Sequence, residues 1–85
     1  MVEKKLVGKI THYFTNIGVG VIDLEGELKV GDRISIEGST TNFQQDVKSM
    51  QIHNKDVEVA KKGDSIGIKI DDRVREGDQV FKITE

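Results

Sequence analysis

Apolar and polar residues alternate along most of this chain with a period of two, which belongs to strands rather than helices. Ile34 and Ile36 sit two apart, as do Ile66, Ile68 and Ile70, while Val19, Val21 and Asp23 interleave with Gly20, Ile22 and Leu24. The pattern predicts strands from about Lys5 to Phe14, Val19 to Leu24, Arg33 to Glu37, Phe43 to His53, Ser65 to Ile70 and Gln79 to Thr84. Two of them are irregular. Leu6, Gly8, Ile10 and His12 alternate with Val7, Lys9, Thr11 and Tyr13 without settling which set faces inward at the start. Phe43 and Val47 fall out of phase with Met50 and Ile52, and a bulge near Lys48-Ser49 reconciles them by shifting the register one residue. Helix is the rival for that stretch, but no cap-to-glycine boundary brackets it.

A glycine–aspartate pair precedes three of these segments or their approaches: Gly31-Asp32, Gly63-Asp64 and Gly77-Asp78. Glycine takes the positive φ of a tight turn, and the following aspartate can accept a hydrogen bond from a nearby backbone N–H. Each copy reads as a turn that launches a strand. The remaining connections are Asn16-Ile17-Gly18, Glu25-Gly26-Glu27, the apolar-free loop Gly38–Asn42 and the turn Asn54-Lys55-Asp56. Val57–Ala60 reads as a short extended or single-turn link, and Asp71–Glu76 as a charged connection pinned by Val74.

Composition narrows the fold. In 85 residues only 35% are hydrophobic and 33% are charged, so one small core must be built economically. Valine and isoleucine dominate it, and Tyr13, Phe14, Phe43 and Phe81 are the only large rings available. Short strands at close spacing predict an all-β single domain over 1–85, a six-stranded closed antiparallel barrel, because closure removes exposed edges. A net charge of −2 offers no general attraction to phosphate backbones. Without cysteine there is no disulfide, thiolate zinc site or cysteine nucleophile. No apolar run reaches the roughly 20 residues of a membrane span, and no signal-like segment follows Met1–Lys5, so cytoplasmic residence is expected.

Candidate chemistry is sparse. His12 and His53 would have to converge with a carboxylate such as Asp56 to hold a metal, and an isolated strand histidine is more often a polar surface residue. Adjacent Asp71 and Asp72 point to opposite faces of an extended chain and have Arg73 and Arg75 as partners, so solvated loop charge is the better reading. Ser39–Thr41 have no histidine near them in sequence. Gly18-Val19-Gly20 lacks the lysine, hydroxyl and helix of a phosphate loop. Lys48, Lys55, Lys61 and Lys62, with His53 and Asn54, form either a small cationic patch or ordinary solvated rim.

Three ordered blocks carry a resemblance: Gly26–Asp32, Val47–His53 and Ala60–Gly67. Together they resemble the second domain of translational GTPases, with the likeness running from about Val7 to Ile83. That resemblance implies a six-stranded Greek-key barrel which, in the family, packs beside the GTPase domain, touches ribosomal RNA and helps hold the aminoacyl end of tRNA. It places Leu24, Leu28 and Gln51 at the pocket for the terminal adenosine, although Gln51 stands where the family has glutamate. It implies no GTP binding by this chain, since the GTPase domain is missing. The expectation is a non-enzymatic, cofactor-free module near translation, contacting tRNA, ribosomal RNA or a translation-associated protein. The alternative is a protein-interaction or accessory domain unconnected with translation, using the barrel as scaffold. A dimer burying Tyr13 or Phe43 stays open.

Overall fold

Alternating β-branched residues give strands throughout: in a computed structural model describing residues 3–84, there is no helix among them, and so none long and apolar enough to cross a membrane. Met1, Val2 and Glu85, included in the one-domain reading, lie outside the described residues. The strands are β1 (Glu3–Phe14), β2 (Val19–Leu24), β3 (Leu28–Lys29), β4 (Arg33–Glu37), β5 (Asn42–Asp46), β6 (Met50–Ile52), β7 (Lys55–Val57), β8 (Val59–Ala60), β9 (Ser65–Lys69) and β10 (Gln79–Thr84). Eight form one antiparallel sheet in the order β5-β4-β10-β1-β2-β9-β6-β7, and β3 pairs with β8 as a separate ribbon.

One aliphatic core unites these strands. Ile10, Ile22, Ile34, Ile36, Ile66 and Val80 are all 1% exposed or less, and Leu28 and Ala60 of the ribbon join the same cluster. With no helix to cover the apolar face, the sheet covers it by curling over itself, and the ribbon closes over the remainder. The aromatic rings stay at the rim. Tyr13 and Phe43 pack against the core from outside it, and Phe14 is exposed.

The unsettled phase of β1 has a physical cause. Leu6 pairs with Phe81 and Gly8 with Val80, so Val7 is an extra residue, and the bulge turns Val7 inward while Leu6 faces out. Gly8 then lies so close to β2 that a Cβ would stand 2.5 Å from the Asp23 carbonyl oxygen.

All three glycine–aspartate pairs build the same turn. The aspartate N–H donates to the carbonyl three residues back: Asp32 to Lys29 at 3.1 Å, Asp64 to Lys61 at 3.0 Å and Asp78 to Arg75 at 3.1 Å. Its carboxylate accepts the N–H of that same residue at 2.9 Å each time, with the glycine between them at φ 98°, 93° and 92°. Two reciprocal bonds clasp each turn, and the positive φ is the reason for glycine at its third position.

The six-stranded closed barrel is corrected in two respects. The predicted strand Phe43–His53 is two strands, β5 and β6, with a break at 47–49 where the phase shift falls. Val47 causes it: its N–H donates to Asp32 and its carbonyl accepts from Gly31, both at 2.8 Å, while its side chain is buried. The first Gly-Asp turn thus draws the chain out of the ladder. In consequence, among the described residues, β5 pairs only with β4 and β7 only with β6, so the ladder has two ends and does not close. The turn expected at Asn54–Asp56 falls one residue earlier. His53 and Asn54 take φ 52° and 66°, the left-handed pair of a two-residue hairpin, and Lys55 already belongs to β7.

Candidate functional site

Where the ladder is open, β5 faces the end of β9 and the segment that follows it. Gln45 lies on the inward register of β5 and is 5% exposed. Its side chain spans the opening: Nε2 donates to the Lys69 carbonyl and Oε1 accepts from the Asp71 N–H, each at 2.8 Å. A single amide therefore does across this seam what a ladder does elsewhere. A groove of about 330 Å³ lies where Thr40–Phe43 meet Asp72, Arg73 and Arg75. A second, of about 290 Å³, lies where Gln45–Ser49 meet Lys69 and Asp71.

The seam has a charge of its own. Among the described residues Lys48, Lys69, Arg73 and Arg75 make no ion pair, whereas Asp46 is held by Arg33 at 2.9 Å. The expected pairing of Arg73 and Arg75 with Asp71 and Asp72 does not form. Asp72 accepts instead from the backbone N–H of Arg73, and the backbone N–H of Arg75 goes to Asp78. Both guanidinium groups stay available to the groove, so Lys48, Lys69, Arg73 and Arg75 flank the opening against two carboxylates that line it without an ion pair among the described residues, Asp71 and Asp72, and the seam is net positive in a chain of net charge −2.

Leu24 and Leu28 are 4% and 0% exposed and serve the core, facing inward from β2 and β3. Gln51 is exposed on β6 and donates to Asp56 across the hairpin at 3.0 Å. His53 and Asn54 form that hairpin's turn, with Lys55 just after it. Lys61 and Lys62 stand in the second Gly-Asp turn, so of the expected cationic set only Lys48 lines the seam. His12 stays on β1, its Nδ1 3.6 Å from Glu76 and its ring 4.6 Å from that of Phe14. Among the described residues no three histidine or carboxylate groups gather to hold a metal. Gln45, Lys69, Arg73 and Arg75 were not singled out as site residues by the sequence. The available signal was Gln45 itself, a polar residue on the inward phase beside a predicted break.

No family model matches the chain. It is 45% identical over 80 residues to an uncharacterized protease of Methanocaldococcus jannaschii, covering 93% of this chain and 20% of that protein. A collagenase of Porphyromonas gingivalis is 38% identical over 82 residues, 94% of this chain and 23% of the relative. The chain thus spans about a fifth of the length of these curated relatives. Among solved structures, the C-terminal domain of a Geobacillus thermoleovorans protein named as a U32 peptidase superposes with a TM-score of 0.87 at 15% identity, over 92% of this chain and 91% of that one. The fold is therefore shared with a domain of that protein.

These matches overturn the resemblance to translational GTPases and the translation role drawn from it. Elongation factor 1-alpha of Pyrococcus abyssi aligns at 34% identity over 81% of the chain, below the protease on both measures. The blocks that suggested translation include two of the clasped Gly-Asp turns with their flanking strands, Gly26–Asp32 and Ala60–Gly67. Such residues are set by backbone geometry and travel with a fold whatever its task.

Proposed function

We propose that the chain is an accessory β-domain of a U32-type peptidase, and that it binds polypeptide without cutting it. One observation carries this reading: similarity to a protease runs through 93% of the chain yet occupies only 20% of that protease, the proportions of a module within a larger machine. The open seam supports a binding role, since it offers a net positive, hydroxyl-bearing groove beside a strand with one unpaired edge.

The test uses the 85-residue chain with immobilised denatured collagen and casein as ligands, and fluorogenic gelatin as substrate. Retention on unfolded polypeptide with no release of fluorescence is the expected result. Failure to be retained on either ligand rejects the binding role, and cleavage of gelatin rejects the accessory one.

A further inference from the structure

Ladder parity along β4 and β5 shows which backbone groups face the seam. Gly38 N–H donates to the Thr41 carbonyl and Val47 N–H to that of Asp32, so the hydrogen-bonded pairs between those points are Ile36 with Phe43 and Ile34 with Gln45. The N–H and C=O groups of Asn42, Gln44 and Asp46 therefore point away from β4. Among the described residues β5 has no other neighbour, so three successive donor–acceptor sets line the opening, spaced as an added strand requires. The opposite edge of the sheet is less receptive, since β7 has only three residues and the carbonyl next to it, on Glu58, already accepts from Val30.

Natural sheets usually blunt such an edge by covering it or pairing it. Here Gln45, bridging from the core side, joins β5 to 69–71 through its side chain, so no backbone ladder occupies the edge. Lys48 and Lys69 flank one half of it, and Arg73 and Arg75 the other. A second copy of this chain is the less favoured occupant: with four cations against the unpaired carboxylates of Asp71 and Asp72, self-pairing of β5 would set two net positive seams against each other.

We propose that the free edge of β5 takes up an extended, acidic stretch of polypeptide as an added strand, with its carboxylates directed to Lys48, Lys69, Arg73 and Arg75. This rests on the reading of the chain as a polypeptide-binding module and specifies where and what it binds. Backbone pairing sets the orientation of the guest, and the cations select its charge.

The probe is a fluorescein-labelled peptide of about ten residues alternating glutamate and valine, long enough to overhang β5. Its comparators are the lysine–valine counterpart and a glutamate–valine analogue N-methylated at every second residue, which cannot donate to the edge. The acidic peptide is expected to bind and to slow amide exchange at Asn42, Gln44 and Asp46, with both comparators weaker by at least about tenfold. The exposed double substitution Arg73→Glu, Arg75→Glu is expected to abolish binding with an unchanged circular dichroism spectrum, whereas Lys62→Glu in the distant turn leaves it intact. Equal binding of either comparator overturns the proposal, as does binding without protection of the β5 amides or no binding at all. So does protection of those amides that grows with protein concentration alone, the mark of self-pairing. If the chain is retained on denatured collagen but ignores the acidic peptide, the module reading stands and this inference falls. If it is retained on neither, the module reading falls with it.

Discussion

Gly8 and Gly63 both resist a side chain, for opposite reasons. At Gly8 the space is taken, by the Asp23 carbonyl and by Ile22 Cγ2 at 2.8 Å from a Cβ. Around Gly63 nothing stands within 4 Å, but φ is 93°. Gly63→Ala should therefore cost about 1–2 kcal/mol, the penalty of a left-handed alanine. Gly8→Ala should cost about 3 kcal/mol, because overpacking against backbone forces β1 from β2. Asparagine separates the two mechanisms in urea unfolding: Gly63→Asn recovers part of the loss, since asparagine tolerates positive φ, and Gly8→Asn recovers none. Glu37 responds to pH. The Lys4 ammonium at 2.7 Å, then the Ser35 hydroxyl at 2.8 Å, hold its carboxyl below the usual range. A depressed folded-state pKa contributes stability that is present above the unfolded value and lost as pH falls through the folded one. The melting temperature of the natural chain should thus exceed that of Glu37→Gln near neutrality, and the gap should close on acidification. The effect is small, since both side chains are partly exposed.

Between elements, the seam depends on one amide. Gln45→Leu keeps the volume and removes both bonds, leaving the Lys69 carbonyl and the Asp71 N–H without their partner. We expect about 1–3 kcal/mol of destabilisation, with faster hydrogen exchange at Asp71 as the local readout and β1–β2 exchange little changed. The six predicted segments were legible because each carries several alternating positions. The break in the fourth was legible as a conflict of phase between Val47 and Met50, although its cause, the pull of the Gly31-Asp32 turn on Val47, is a contact between distant residues. The ribbon β3–β8 was not legible, since two residues carry no period. The hairpin turn was misplaced by one because His53, a type that tolerates positive φ better than most but is no strong turn signal, takes the first left-handed position.

For the molecule as a whole, all-β architecture followed from composition and alternation, but closure did not. Closing a ring depends on how the last strands meet, and Gln45, the residue that stands in for the ladder, carries no apolar signal. Function was less legible still. The turn blocks point to a backbone solution shared by proteins named for different tasks, while Arg73 and Arg75 look in sequence like partners for the neighbouring aspartates. Only the distribution of hydrogen bonds shows those aspartates occupied elsewhere or unpaired with them.

The register of β1 and β10 has a mechanical corollary. Glu3 lies opposite Thr84, so the chain enters and leaves the fold at the same end of one antiparallel pair. Tension applied between these two points loads the rungs of that pair singly, from the outermost inward, instead of all together. The molecule should consequently open like a zip fastener, yielding at low force in an optical trap. Shifting one attachment point to the Gly38–Thr41 loop should raise the force it withstands.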